Sequence, residues 1–479
     1  VKAYIATHNV YGVDLNPTAV ELGKLSLWLN VIHKDMETPF FANRICVGNA
    51  VIGAWLKVYS KNEFYGISER YGAKLKPNKW WEKAPHKVKI FANRVNRSVN
   101  DVYHFLLPDA NMLGVRSIKE QKKEHPAEEK QMAAILKDWT APIASYDFKT
   151  LQRLSAKIDI LLKDYFTDQI SIEKYTNNRR EIWDGIDHSG SESLFKEEEQ
   201  AESYARKQTL FDTRYGHNNA YRKLKLAMDY WCSLWFWEYK DADNLPTRQE
   251  YWADIEALLD VDNEKLDNRT RKALERTDMV SEDIDMEYNR ISEDESQIVA
   301  KTQEELLTAA HGNTNLFSDE DPLRLKIVCR LSERYRFFHP MLEFIEVFWL
   351  RDGFDIICGN PPWLKMEVDI QGIISEKYPE VAIRNIKAAD IKLQYKDEYF
   401  KECPSLESLY NNEEIGTTCT IEFMNAYCSY PKLVNQKNNL YKCVLTNGFD
   451  LLNAEGFMGM LHPDGIYDDP NAQALRYEV

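Results

Sequence analysis

The chain has 479 residues, and 61 Lys and Arg against 76 Asp and Glu give it a formal net charge of −15. With 44% hydrophobic and 29% charged residues, a wholly disordered chain is excluded. No apolar run approaches the ~20 residues of a membrane span, so no membrane contact is expected, and the acidic balance argues against indiscriminate binding of polyanions. The 8 cysteines form no CxxC pair, which predicts a reducing, cytoplasmic setting without a metal site.

The amino-terminal segment shows the alternating pattern of an α/β fold. Residues 10–14 predict a short strand that ends in a carboxylate, and Asn16 with Pro17 marks a turn. Leucines then recur at helical spacing, and residues 44–47 predict a second strand. The pattern indicates parallel strands joined by a helix.

A long charged block interrupts this pattern. Residues 151–166, 221–239 and 248–259 show the 3.6-residue apolar period of amphipathic helices. We therefore predict three units: a cofactor-side part of the core at 1–57, a mainly helical insertion at 58–339, and a catalytic part at 340–479.

The α/β pattern returns near the end of the chain. Residues 353–359 (GFDIICG) predict a buried strand, which stops at two consecutive prolines. A helix is predicted at 440–452 and another strand at 457–461.

The residues after the 353–359 strand carry the most chemical information: Asn360, Pro361, Pro362 and Trp363. The prolines end the sheet and hold the backbone extended, so that the Asn360 side chain and the Pro361 carbonyl offer two neutral acceptors to an amine. Trp363 offers a flat face on which a base lifted from its helix can stack. The alternative is an ordinary Pro-Pro turn with Trp363 in the core.

This N-P-P-W sequence resembles the catalytic motif of N6-adenine-specific DNA methyltransferases. Residues 11–22 (YGVDLNPTAVEL) are similar to that family's second motif, and residues 47–53 (VGNAVIG) to the element that borders the cofactor adenine. The insertion makes the chain most similar to the large methylases of type IIG restriction–modification and of DISARM- or BREX-like phage defence. The resemblance implies an α/β, Rossmann-like class I S-adenosylmethionine-dependent methyltransferase core with a large, mainly helical insertion.

The resemblance also implies a reaction and the residues that carry it. It implies methylation of adenine N6 with S-adenosylmethionine as cofactor, double-stranded DNA with a flipped adenine as partner, and other defence-system subunits as further partners. The implied catalytic residues are Asn360, Pro361, Pro362 and Trp363, and the implied cofactor-binding residues are Asp14, Leu15, Asn16 and Asn49. Two alternatives stay open, namely that Asp14 is a helix N-terminal acid and that Asn49 is a turn residue.

Aromatic residues could also wall the target-base pocket. Phe423 and Tyr441 are candidates, although core packing is the stronger expectation for both.

The sequence departs from the family pattern at its start. The family's glycine-rich first motif should precede Tyr11, yet residues 1–10 contain no glycine, so we expect a fragment of a longer enzyme. Two rival functions remain. One is a methylase-derived subunit that binds DNA or protein without catalysis. The other is an amino-group methyltransferase for protein or RNA, because glutamine methyltransferases share N-P-P-[YFW].

Overall fold

The computed structural model describes residues 1–32, 38–64, 79–91, 94–177, 203–216, 219–260, 301–310, 322–392, 396–436 and 439–477. The strands are β1 (Gly12–Asp14), β2 (Ile45–Val47), β3 (Lys57–Tyr59), β4 (His86–Lys87), β5 (Lys89–Phe91), β6 (Arg94–Asn96), β7 (Val102–Tyr103), β8 (Phe354–Gly359) and β9 (Leu452–Met460).

The helices up to the end of the insertion are α1 (Lys2–His8), α2 (Pro17–Val31), α3 (Lys61–Phe64), α4 (Lys119–Glu124), α5 (Pro126–Trp139), α6 (Ser145–Thr176), α7 (Tyr204–Asp212), α8 (Ala220–Ser233), α9 (Arg248–Leu258), α10 (Gln303–Ala310) and α11 (Leu323–Tyr335). Those that follow are α12 (Pro340–Glu343), α13 (Ile345–Arg351), α14 (Ile370–Ser375), α15 (Glu380–Ile383), α16 (Ala388–Asp390), α17 (Lys396–Glu402), α18 (Pro404–Met424), α19 (Leu440–Leu451), α20 (Gly465–Asp468) and α21 (Gln473–Arg476).

The amino-terminal segment forms the expected strand, helix and strand. β1 and β2 pair in parallel, with Asp14 opposite Val47 at their carboxyl ends. Between them, α2 begins at Pro17, and the side chain of Asn16 accepts the Thr18 N–H at 2.9 Å as the helix cap. The periodic leucines predicted the helix, but they lie on its exposed side, while Val20 and Val31 are buried.

A second parallel pair carries the N-P-P-W sequence. β8 pairs with β9 from Phe354 to Gly359, which confirms both predicted strands. The expectation of a buried strand is wrong, because none of the six residues of β8 is buried and the paired Ile356 and Phe457 are 71% and 77% exposed. The opposite face packs on α19, where Gly448 leaves room for the Met458 side chain.

The described residues of the predicted insertion are mainly helical, and they also include strands that the periodicity did not reveal. β3 pairs antiparallel with both β4 and β7, and β5 pairs antiparallel with β6. Each of these strands has two or three residues, which is too short for an alternating pattern to be recognised.

A large apolar cluster draws residues from all three predicted units. It contains Ile52 from the first unit, Trp231 and Trp235 from the insertion, and Phe348 and Tyr441 from the last. The insertion therefore packs on the flanking segments, and the division at 57 and 339 stays a prediction. None of the helices that the structure describes is both long enough and apolar enough to cross a membrane.

Candidate active site

The N-P-P-W residues lie where β8 ends, and they differ in exposure. Pro361 is buried, whereas Asn360 and Pro362 are exposed. The Asn360 side chain makes no hydrogen bond with any residue in the described part of the chain, so its amide oxygen is open to a donor from outside. Pro361 instead anchors the backbone in the protein.

Trp363 is held at the surface by a hydrogen bond to a distant part of the chain. Its indole N–H donates to the Leu461 carbonyl at 3.2 Å, and the side chain is 55% exposed. Leu461 follows β9 and extends the strand pair, because its N–H donates to the Gly359 carbonyl at 3.0 Å. The alternative that places Trp363 in the core is wrong for this structure, since the ring is fixed in orientation but not covered.

The segment after Trp363 is anchored on its other side by α19. Lys365 forms an antiparallel bridge with Asn439, and the Leu440 N–H donates to the Leu364 carbonyl at 3.0 Å. The motif is therefore held between the end of β9 and the start of α19. Leu364, Leu461 and Trp363 are all exposed and give this strand end an apolar surface.

The implied cofactor residues meet at the carboxyl ends of β1 and β2. The Gly48 N–H donates to the Asp14 carbonyl at 2.9 Å, which brings the turn at 14–16 beside the turn at 48–50. Asp14 is exposed, and one of its carboxylate oxygens accepts the Asn16 N–H at 2.7 Å. The second oxygen has no hydrogen bond among the residues described, so it fits a hydroxyl donor, and the exposed Leu15 side chain adds an apolar contact.

Asn16 and Asn49 also have structural roles. Asn16 caps α2, and the Asn49 side-chain oxygen accepts the Val51 N–H at 3.0 Å, as in an Asx turn. The side-chain oxygen of Asn49 thus has the role in a turn that the alternative interpretation predicted. A cofactor contact by Asn49 is left to its side-chain N–H groups, because its backbone N–H donates to the Arg336 carbonyl and its carbonyl accepts the Ile52 N–H.

Phe338 explains the two glycines in residues 47–53. A Cβ atom on Gly48 would lie 2.4 Å from the Phe338 ring, and one on Gly53 would lie 1.7 Å from the Phe338 carbonyl oxygen. The Phe338 N–H also donates to the Ile52 carbonyl at 3.0 Å. These glycines are therefore required by the close approach of the chain that leaves the insertion.

Buried charges lie beneath the start of β1. Arg44 pairs with Glu173 at 3.1 Å and donates to the Asn177 side chain at 2.8 Å, which ties the entry to β2 to α6. The Arg44 guanidinium also lies 5.6 Å from the centre of the Tyr11 ring. Burial, with the nearby negative charge of Glu173, raises the pKa of the Glu346 carboxyl on α13 to about 8.

The residue Arg336, between α11 and α12, was missed by sequence reasoning. Its guanidinium donates to the Leu15 carbonyl, and its own carbonyl accepts the Asn49 N–H at 2.7 Å. A contact across 321 positions leaves no local pattern in the sequence. Its only available signal was its position just before Phe337 and Phe338, where the insertion rejoins the core.

The two aromatic candidates for a pocket wall are buried. Phe423 packs edge-on against Trp235 with ring centres 5.3 Å apart, and Tyr441 belongs to the large apolar cluster. The expectation of core packing is confirmed for both.

A family model described as Eco57I restriction-modification methylase matches residues 8–393. The match includes β1, β2, the insertion and the N-P-P-W sequence, and it ends before α19 and β9. Comparisons with curated proteins and with solved structures found no significant match. Because the family model covers well over half of the 479 residues, the chain belongs to the Eco57I restriction-modification methylase family.

Proposed function

We propose that this methylase transfers a methyl group to the N6 amino group of adenine in double-stranded DNA. The observation that carries the proposal is the end of β8, where an exposed asparagine with no hydrogen-bond partner among the described residues lies three residues before an exposed tryptophan whose indole N–H is hydrogen-bonded. An exocyclic amine has two N–H donors, and the Asn360 side chain and the Pro361 carbonyl supply two acceptors. The setting we propose is restriction–modification or phage defence, with other subunits of such a system as further partners.

In this proposal the target adenine leaves the duplex and stacks on Trp363. The indole N–H bond to Leu461 keeps the ring at one angle, so the base is oriented as well as bound. Pro361 and Pro362 hold the acceptors at the strand end, because neither can continue the sheet.

S-adenosylmethionine would supply the methyl group when bound at the carboxyl ends of β1 and β2. Asp14 would accept hydrogen bonds from the ribose hydroxyls, Leu15 would contact the adenine ring, and the turns at Asn16 and Asn49 would border it. In the described residues β1 with β2 and β8 with β9 form two separate two-stranded sheets. We propose that both parallel pairs belong to a Rossmann-like core, in which ligands bind at the carboxyl ends of the strands.

The acceptors at Asn360 and Pro361 also act on the transition state. Positive charge grows on the amine nitrogen during methyl transfer, and two fixed dipoles that point their oxygens at its hydrogens stabilise that charge. No base is needed before transfer, since the methylated amine can lose its proton to water afterwards.

The test is single-turnover methylation of an adenine-containing duplex by Asn360→Ala. We expect a rate on the order of 100- to 1000-fold lower, as for the loss of one preorganised dipole. Asn453→Ala is the matched control. Asn453 lies near the start of β9, at the opposite end of the strand pair from the N-P-P-W residues, and its side chain donates to the Asp355 side chain at 2.7 Å. Equal rates for Asn360→Ala and the wild type would reject the proposed role of the asparagine.

A further inference from the structure

The end of the insertion is bonded to both of the turns at the carboxyl ends of β1 and β2. The Arg336 guanidinium donates to the Leu15 carbonyl in the turn at 14–16. The Arg336 carbonyl accepts the Asn49 N–H at 2.7 Å in the turn at 48–50, and Phe337 forms a parallel bridge with Asn49. A single residue thus fixes the two turns relative to each other through its side chain and its backbone.

The backbone of Arg336 has a conformation that is unfavourable for a residue with a side chain. Arg336 follows α11 with φ 53° and ψ 53°, in the left-handed region. Glycine is the residue that most readily ends a helix in this conformation, because a Cβ atom is disfavoured there. The guanidinium bond to Leu15 is what an arginine adds at this position and a glycine cannot.

The bond has a consequence for the residues beside it. Leu15 lies between Asp14 and Asn16, so the bond to its carbonyl restrains the backbone from which the Asp14 carboxylate projects. The Gly48 N–H bond to the Asp14 carbonyl transmits the same restraint to the second turn. Arg336 therefore restrains the spacing of two turns that lie far before it in the sequence.

We propose that Arg336 is a positioning residue for the cofactor, through which the end of the insertion sets the affinity for S-adenosylmethionine. This rests on the proposed function, in which the 14–16 and 48–50 turns hold that cofactor. Arg336 acts on the cofactor through Leu15 and Asn49, and the methyl-transfer step itself depends on the separate group of residues at the end of β8.

The experiment compares Arg336→Gly, Arg336→Lys and the wild type, each as the full-length enzyme, by calorimetric titration with S-adenosylmethionine and by steady-state methylation. Arg336→Gly removes the guanidinium and suits the left-handed backbone, so its unfolding temperature should not fall. We expect its Kd and KM for S-adenosylmethionine to rise on the order of tenfold, as for the loss of one charge-assisted hydrogen bond. The kcat at saturating cofactor should stay within about twofold, since the β8 residues are untouched, and Arg336→Lys should restore part of the affinity.

Arg334→Ala, in the last turn of α11, is the matched control. Arg334 pairs with Glu238 at 2.9 Å, and Glu238 keeps a second partner in Lys240 at 2.7 Å. Loss of this ion pair should leave the KM for S-adenosylmethionine unchanged. If the wild type binds cofactor and Arg336→Gly binds it equally well, the positioning role is rejected while the proposed function stands. If the wild type itself binds no cofactor, the proposed function fails first.

Discussion

Trp363 shows at the scale of one residue how exposure separates two interpretations of the same sequence. A tryptophan after a strand is usually part of the core, yet this ring is half exposed and bonded to the Leu461 carbonyl. The bond gives the indole N–H a hydrogen-bond partner at the surface, so the ring does not have to be buried to find one. What remains is an open aromatic face in a defined orientation.

Replacing that face should weaken DNA binding without changing the fold. Trp363→Ala is expected to reduce binding of an adenine-containing duplex by about 1 to 3 kcal/mol, the range for one base stacked on an aromatic ring. The KM for DNA and equilibrium binding at fixed salt would measure the change. Tyr146→Ala, at a 75% exposed aromatic residue in α6, is the control and should bind DNA like the wild type. Unchanged binding by Trp363→Ala would show that no base stacks there.

The candidate site was predictable from the sequence wherever the signal was local. Asn360 and Trp363 follow a strand within four residues, and Asp14 ends another, so the strand pattern alone places them at carboxyl ends. Arg336 and Leu461 were not predictable, because each acts through a bond to a residue brought near only by the folded chain. The Asx turn at Asn49 was foreseen only as one of two alternatives.

At the scale of whole elements, the apolar period was a better guide to where a helix forms than to which of its side chains are buried. The leucines of α2 and the Ile356 side chain of β8 follow helical and strand patterns, and both are exposed. Periodicity reports the spacing of apolar side chains along an element, and their burial depends on neighbours that the pattern does not contain. The short strands β4 and β7 were not predicted, because two residues are too few to show a period.

The contact of Phe338 with residues 47–53 predicts that Gly53→Ala destabilises the protein. Gly23→Ala, away from this contact, should have the opposite effect. Gly53→Ala should destabilise the chain by about 1 to 3 kcal/mol or more, because its Cβ atom would meet the rigid Phe338 carbonyl. Gly23→Ala is the matched control, since its Cβ atom would meet nothing within 4 Å inside α2. Alanine there should stabilise the helix by roughly 0.5 to 1 kcal/mol. Denaturant unfolding would compare the two, and similar effects of both would contradict the proposed close approach.

At the scale of the molecule, the insertion and the flanking segments share apolar contacts and buried charges. The large apolar cluster runs through all three predicted units, and the Arg44–Glu173 pair joins β2 to α6. The sequence predicted the insertion as a separate block because its composition changes, but composition does not reveal which surfaces pack together. The match to the family model, over residues 8–393, likewise spans the insertion.

The buried Glu346 carboxyl predicts that stability falls as the pH rises. Its pKa in the folded chain is about 8, raised by burial and by Glu173 above the ordinary value of roughly 4.3. Between these two values the folded chain holds a proton that the unfolded chain has released, so the free energy of unfolding decreases with pH, by up to about 1.4 kcal/mol per pH unit. Glu346→Gln removes this titration.

Denaturant unfolding between pH 5 and about pH 8 would show this as a shallower pH dependence in Glu346→Gln than in the wild type. The variant should also be the more stable of the two at the alkaline end. Parallel pH profiles would indicate that Glu346 is ionised in the folded chain across this range.

The central claim is that this methylase modifies the amino group of adenine, and the identity of the methylated base tests it most directly. Duplex DNA is incubated with the protein and S-adenosylmethionine carrying a labelled methyl group, then digested to nucleosides and separated by mass. We expect label in N6-methyladenine with the wild type, and a loss on the order of 100-fold or more with Asn360→Ala. Label in a cytosine, or DNA that stays unlabelled, would contradict the proposed reaction.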